Sequence, residues 1–291
     1  AATIKESEIT SRGNVLVLAT DITAVTTRAG AISVGLIAGV GGSIDFVTIA
    51  RDTRATMVGV HSNALGSTEV VAYSQATING AAGTGGGGGI AAVVGTSVVH
   101  LIEGTTEAAI TVDTVEGARP SLINQDPAFP GTGVIVTATD YARVIGNAGG
   151  YCGSLGVGYG SSMNVNVIRR DVKATVGDGT QMHAGGDVTI EAVAEHLVDT
   201  DTIAFAASLC VGIAGSLSAI GLAGGIGVGA SDEAKKSRGT IDGLLTLSGG
   251  MPGLLRDDAS DRARAALAGC DLSIESAISA DATGRSVAAT I

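Results

Sequence analysis

The sequence contains no tryptophan, and three phenylalanines and four tyrosines hold its aromatic content to 2%. That excludes the common globular core, in which large rings supply much of the buried area. Proline occurs four times in 291 residues, so long hydrogen-bonded ladders meet few interruptions. Cysteine occurs three times, at Cys152, Cys210 and Cys270. An odd, widely spaced set fits neither a disulfide framework nor a zinc site. The three read as small buried hydrophobes, and their near-equal spacing hints at a repeat. Basic residues are few, 17 against 28 acidic ones, for a net charge of −11. This balance disfavours nucleic acid or an anionic membrane as partner and suits a soluble or secreted surface. There is no initiating methionine and no signal peptide. The chain therefore reads as a segment of a longer array, with more repeats expected on at least one side.

Glycine and small aliphatic residues are what the chain does have. It carries 45 glycines, and 45% of its residues are hydrophobic. The core must then be built from Val, Ile, Leu and Ala, with Gly where backbones turn or pack closely. Two landmarks recur. One is a short strand: "AATI" at 1–4, "RATM" at 54–57, "KATV" at 173–176 and "RGTI" at 238–241, with a looser "AAIT" at 108–111. The other alternates: "NVLVLA" at 14–19, "EVVAYS" at 69–74, "GVIVTA" at 133–138, "DVTIEA" at 187–192 and "DLSIES" at 271–276. Between them lie Gly/Ala-rich apolar stretches at 31–47, 85–102, 151–168 and 205–230. The unit is about 54 residues long, with extra residues inserted mainly at one recurring junction. Units fall approximately at 14–68, 69–132, 133–186 and 187–270, with partial units at 1–13 and 271–291 and insertions at 114–132 and 244–268.

The alternation in "VTIEA" and "MNVNVI" has the period of strands. The expected fold is all-β: a parallel β-helix or β-solenoid of four to five imperfect repeats, each supplying two or three coils. One short inserted helix is expected in "LLRDDASDRARAALAG" (254–269), with Asp257, Asp258 and Asp261 near its start and Gly269 as C-cap. The groups Gly177-Asp178-Gly179 and Gly185-Gly186-Asp187 fall at strand junctions. There glycine permits positive φ and aspartate bonds nearby backbone, so they read as corners.

"NVNVIRRDVKATVGDGTQMHAGGDVTIEA" followed by "FAASLCVGIAGSLSA" resembles the repeats of leukotoxin-like and filamentous-haemagglutinin-like large bacterial surface proteins. The likeness is strongest over 150–215 and traceable over about 10–115. It implies a β-solenoid stalk, bacterial origin and a cell-surface or secreted location, and it carries no catalytic residues.

Motifs for chemistry are missing. There is no GxSxG elbow and no P-loop lysine, and "GTGGGG" at 83–88 lacks a following helix. His61, His100, His183 and His196 make no metal spacing. Asp178 and Asp187, with turn carbonyls, are weak calcium candidates. No catalytic residue and no other cofactor is assigned. Residues 202–231 carry no charge and are long enough to span a bilayer. Similar stretches in every unit make buried solenoid strands the better reading, with no membrane span. The expected function is non-enzymatic: a structural or adhesive, extracellular segment that acts as a rigid stalk or fibre-forming module. Its partners would be its own neighbouring repeats end to end, and a host or neighbouring cell surface. The insertions are candidate contact loops, because all four prolines lie in them. A β-helix polysaccharide-degrading enzyme and an ice- or surface-binding solenoid are the alternatives. The first would need sugar-stacking rings, and the second would need threonine at a fixed position, where "TVDT" (111–114) and "DTDT" (199–202) do not recur.

Overall fold

The computed structural model describes residues 1–112, 119–177 and 179–222. Beyond them it describes the strands Gly225–Ile226, Arg262–Leu267, Asp271–Ile274, Ile278–Thr283 and Val287–Thr290. Every regular element among the described residues is a β-strand. After β1 (Ala2–Lys5) and β2 (Glu8–Ser11) the chain runs in wide coils. The first is β3 (Val15–Gly35), β4 (Ala38–Ala50), β5 (Thr53–Val58) and β6 (His61–Ala64). The second is β7 (Ser67–Gly88), β8 (Ala91–Thr111) and β9 (Leu122–Ile123). The third is β10 (Gly133–Ser154), β11 (Val157–Val176) and β12 (Gln181–Ala184). The fourth begins with β13 (Val188–Ser208) and β14 (Val211–Leu222), and continues through β15 (Gly225–Ile226), β16 (Arg262–Leu267) and β17 (Asp271–Ile274). β18 (Ile278–Thr283) and β19 (Val287–Thr290) follow.

Stacking the coils makes three sheets. The long outgoing strands form β3–β7–β10–β13–β18, and the short strands form β2–β6–β9–β12–β17. The returning strands form the third sheet, in which β8 pairs with both β4 and β5, and β11 with both β14 and β16. All pairings are parallel except the two-residue bridge between β14 and β15. The fold is thus a parallel β-solenoid. In cross-section each coil is a flattened blade: out along one sheet, around a tip, back along a second, and closed at the root by the short third strand.

Register shows how the repeat maps onto this shape. Ile4 pairs with Met57, Met57 with Ile110 and Ile110 with Val176, so four members of the first landmark stack as one apolar column; Val176 pairs onward with Leu267, and the fifth member, "RGTI" at 238–241, lies outside the described residues. Val134 pairs with both Thr68 and Val188, so the second landmark opens each outgoing strand. Successive repeats are therefore successive coils. One repeat makes one coil, not the two or three expected, because each apolar stretch is spent on two long strands rather than several short ones. The stretch at 31–47, for example, crosses the tip at Leu36 and Ile37, and 85–102 crosses it at Gly89 and Ile90.

Three further expectations are corrected by the register. The predicted helix at 254–269 contains strand β16, whose Arg262–Leu267 pairs with Asp171–Val176; the rest of that segment lies outside the described residues. Ladder backbone groups offered by β11 outweigh the helix propensity of an Ala/Arg-rich run. "DLSIES" is not an outgoing strand, since Asp271–Ile274 pairs with β12 at the root; Ile278–Thr283 takes the place beside β13. The insertions also leave from different places. The first, 114–132, contains β9 of the root sheet, while the second, 244–268, contains β16 of the returning sheet.

The interior follows from the alternation. At the root, Val17, Met57, Val70, Ile110, Val136, Val176 and Ile190 belong to one buried cluster between the three sheets. Toward the tip the inward residues shrink to Ala82, Val98 and Ala148, then to Ala92, Val94 and Cys152. Small side chains let the two long sheets close on each other as the blade narrows.

Candidate functional site

Polar layers interrupt the apolar interior, and the strand alternation places them. Asp140 falls in the inward phase of β10, between Ala138 and Ala142, and Arg170 in the inward phase of β11, between Ile168 and Val172. Both are completely buried, with their ions 2.6 Å apart. Arg170 uses all five donors of its guanidinium. Nε donates to Asp140 Oδ1 at 3.0 Å, and Nη2 to Asp140 Oδ1, Ser74 Oγ and Thr106 Oγ1 at 2.6, 2.6 and 3.0 Å. Nη1 donates to the carbonyls of Arg51 and Glu103 at 2.9 and 3.1 Å. Those carbonyls are turned inward where the returning sheet bends: β4 breaks from β5 there, and Gly104 adopts φ 136°. A side chain at Gly104 would strike the Arg51 carbonyl and Arg170 Nη1. At this bend Arg170 bonds the Arg51 carbonyl and adds a second bond to the Glu103 carbonyl, which already accepts from Arg51 N–H at 3.1 Å.

Asp140 also accepts from Thr106 Oγ1 at 3.1 Å and from His196 Nε2 at 3.2 Å. Burial pushes its carboxyl up, but hydrogen bonds from His196 and Arg170 and the Arg170 charge pull it further down, to about 2. The cluster holds an acid, a histidine and hydroxyls, but not in a relay. His196 is directed at Asp140, and Ser74 is held by Arg170. Its chemistry is charge compensation in an enclosed layer.

A second polar layer crosses the blade nearer the tip. Thr27 donates to Asp45 Oδ2 at 2.7 Å, and His100 Nε2 lies 3.4 Å from the same oxygen. His100 Nδ1 donates to Asn166 Oδ1 at 2.8 Å, Asn166 to Asn164 Oδ1 at 2.8 Å, and Asn164 to the Gly146 carbonyl at 2.7 Å. This chain of bonds links the first three coils side chain to side chain. Gly80 faces it, and a Cβ there would collide with His100 and Asp45. A third layer joins Ser43, Thr84 and Thr96, with Thr96 donating to the Gly149 carbonyl at 2.7 Å.

The outer surface divides differently. No Asp, Glu, Lys or Arg occurs at 29–44, 70–102, 144–168 or 202–222, so the tip half of every coil is uncharged. Among the described residues, 17 of the 24 exposed large hydrophobics lie in these stretches. The tip itself carries Leu36 (97% exposed), Ile37, Ile90, Leu155 and Leu209 (81%), one or two per coil. The apolar stretches are therefore solenoid strands but are not buried throughout, which corrects the reading from sequence. Among the described residues no helix is long and apolar enough to cross a membrane. Nor are the cysteines uniformly buried: Cys152 faces inward, while Cys210 is exposed on a tip. Cys152 pairs with Ala206, so the near-equal cysteine spacing does not mark equivalent positions.

The sequence candidates for calcium were Asp178 and Asp187. Asp178 lies outside the described residues. Asp187 is exposed at a corner, where its carbonyl accepts from Val134 N–H at 3.0 Å. No group of three His, Cys, Asp or Glu side chains suited to a metal occurs among the described residues. The corner assignment itself is supported: Gly179 has φ 76°, and Gly177 N–H bonds the Ile110 carbonyl of the coil before. Of the insertion at 114–132, Leu122–Ile123 is a rung of the root sheet with Ile123 buried, and among its described residues 125–128 form the longest exposed run. Thr200 and Thr202 point inward between exposed Asp199 and Asp201 and make no flat threonine array. The residues missed from sequence are Asp45, His100, Asp140, Asn164, Asn166, Arg170 and His196. The available signal was phase: each is polar at a position where the alternation calls for an apolar residue.

No family model, curated protein or solved structure matches the chain. The class of protein rests on the geometry alone, a parallel β-solenoid of wide coils.

Proposed function

We propose that the chain is a non-enzymatic structural and adhesive segment of a large bacterial cell-surface or secreted repeat protein, serving as a rigid stalk or fibre-forming module. The observation that carries this reading is the continuity of the interior from coil to coil. Apolar columns and polar layers run through successive coils, and the polar side chains bond one another rather than facing a cleft. Such an interior gives stiffness along the axis, because each coil is held by its neighbours. The likeness of 150–215 to leukotoxin-like and filamentous-haemagglutinin-like repeats points to the same class and to an extracellular location. Exposed residues 125–128, beside Pro130 and the positive-φ Gly131, are the described part of a contact loop. Negative-stain electron microscopy at increasing concentration, with and without calcium, tests the reading. Straight rods or end-to-end filaments sustain it. Compact particles that cleave a polysaccharide would replace it with the β-helix enzyme.

A further inference from the structure

The outer face of the outgoing sheet holds a ridge and a trough side by side. Along β3 the outward residues include Leu16, Leu18, Ile22, Ile32 and Val34, all exposed, with Ile32 at 88% and Val34 at 84%. One coil further on, the residues in register with Gly30, Ile32 and Val34 are Gly83, Gly85 and Gly87. These three glycines have ordinary backbone angles. A Cβ on Gly83 would meet nothing within 4 Å, one on Gly85 only Ile32 Cγ1 at 4.0 Å, and one on Gly87 only the Gly153 carbonyl at 3.9 Å. Neither packing nor φ requires glycine there, in contrast to Gly80 and Gly104. The missing side chains leave open room on the outside. A groove of about 420 Å³ begins at this floor, beside Ala81, Gly83, Gly149 and Tyr151.

We infer that this face pairs with a second copy of the chain, the β3 ridge of each copy seated in the glycine trough of the other. A two-fold axis along the strand direction, between the first and second coils, lays β3 of one copy over β7 of its partner. Ridge and trough are in register, so one operation places Ile32 over Gly85 and Val34 over Gly87 of the other copy, and the reverse. That reciprocity defines an isologous interface. The whole face is 21 residues long, with the ridge seated in glycine at Gly30–Val34 and Leu16, Leu18 and Ile22 laid against Glu69, Val71 and Gln75 of the other copy. At about 3.3 Å per residue and two coils of about 4.8 Å, it covers roughly 700 Å² per partner. That is close to the ~800 Å² of a standard interface.

Charge favours a second copy over a lipid surface. The net charge is −11, and Arg28 is the only charged outward residue on β3. Interfacial membrane elements instead combine an apolar face with lysine and arginine. The pairing is lateral and does not rest on the proposed role as stalk or fibre, which concerns the axis.

Sedimentation velocity of the full chain, from micromolar to several hundred micromolar, tests it, with Gly85→Leu and Ile32→Lys as variants. Both changes point into open space, so circular dichroism should keep the wild-type strand signal. The expected result is a reversible dimer of the wild type, with its dissociation constant raised at least tenfold by either variant. A wild type that stays monomeric overturns the inference, as does a dimer indifferent to both changes. Monomer that floats with phosphatidylcholine vesicles, and loses this in Ile32→Lys, overturns it in favour of lipid.

Discussion

The root and the tip of each blade are built from the same alternation and reach opposite solutions. At the root, large apolar side chains from three sheets fill one interior, and the surface carries the charge. At the tip, two sheets close over Ala, Val, Ser and Thr, and the apolar residues are turned outward. The polar groups divide accordingly. The root side holds a fully buried ion pair, whose removal leaves charge in a low dielectric. Beyond the Asp45–His100 layer, the tip holds the Ser43, Thr84 and Thr96 hydroxyls and a surface with no charge. Buried apolar area, and with it stability, is therefore concentrated at the root.

The largest contrast comes from Arg170→Met, which leaves the buried Asp140 carboxylate without its charge partner and removes the Arg170 bonds to the carbonyls of Arg51 and Glu103. Urea unfolding should show a loss of about 3–5 kcal/mol. A loss below about 1 kcal/mol would mean that the bend satisfies itself. Next is Gly80→Val, which drives a side chain into His100 and Asp45. Overpacking of that kind costs about 1–3 kcal/mol, whereas Gly83→Val, in open space three residues on, should be close to neutral.

The pH dependence follows from Asp140. Its folded carboxyl sits at about 2, below the ordinary 3.8, so its contribution is complete above the ordinary value. It is lost as pH falls from about 4 through about 2, an effect on the order of 2 kcal/mol. Thermal melts of the wild type should fall across that window, and those of Asp140→Asn should start lower and fall less. The smallest effect is expected at the tip. Leu36→Lys should change stability by no more than about 0.5 kcal/mol, and a larger loss would mean that the tip is covered.

The two halves also differ in how legible they are. The strand class, the stacking of Ile4, Met57, Ile110 and Val176, and the Gly177–Gly179 corner follow from period and turn chemistry. The tip turns do not, because Leu36-Ile37, Gly89-Ile90, Leu155-Gly156 and Leu209-Cys210 hold no Asn, Asp or Pro. Their backbones are satisfied by the next coil, as when Ile90 N–H bonds the Ile37 carbonyl at 2.9 Å. A turn stabilised by stacking leaves no local signature, so one wide coil reads as several narrow ones. Arg170 and Asp140 were visible as breaks in phase, but their pairing spans two strands and only the register brings them together.

Hydrogen exchange of the wild type beside Arg170→Met tests the central contrast most directly. Peptides from 102–110, 134–144 and 165–176 should exchange slowest in the wild type. They should lose protection in the variant, while tip peptides at 33–40 and 152–158 keep their rates. Equal loss at root and tip, or none at either, would contradict it.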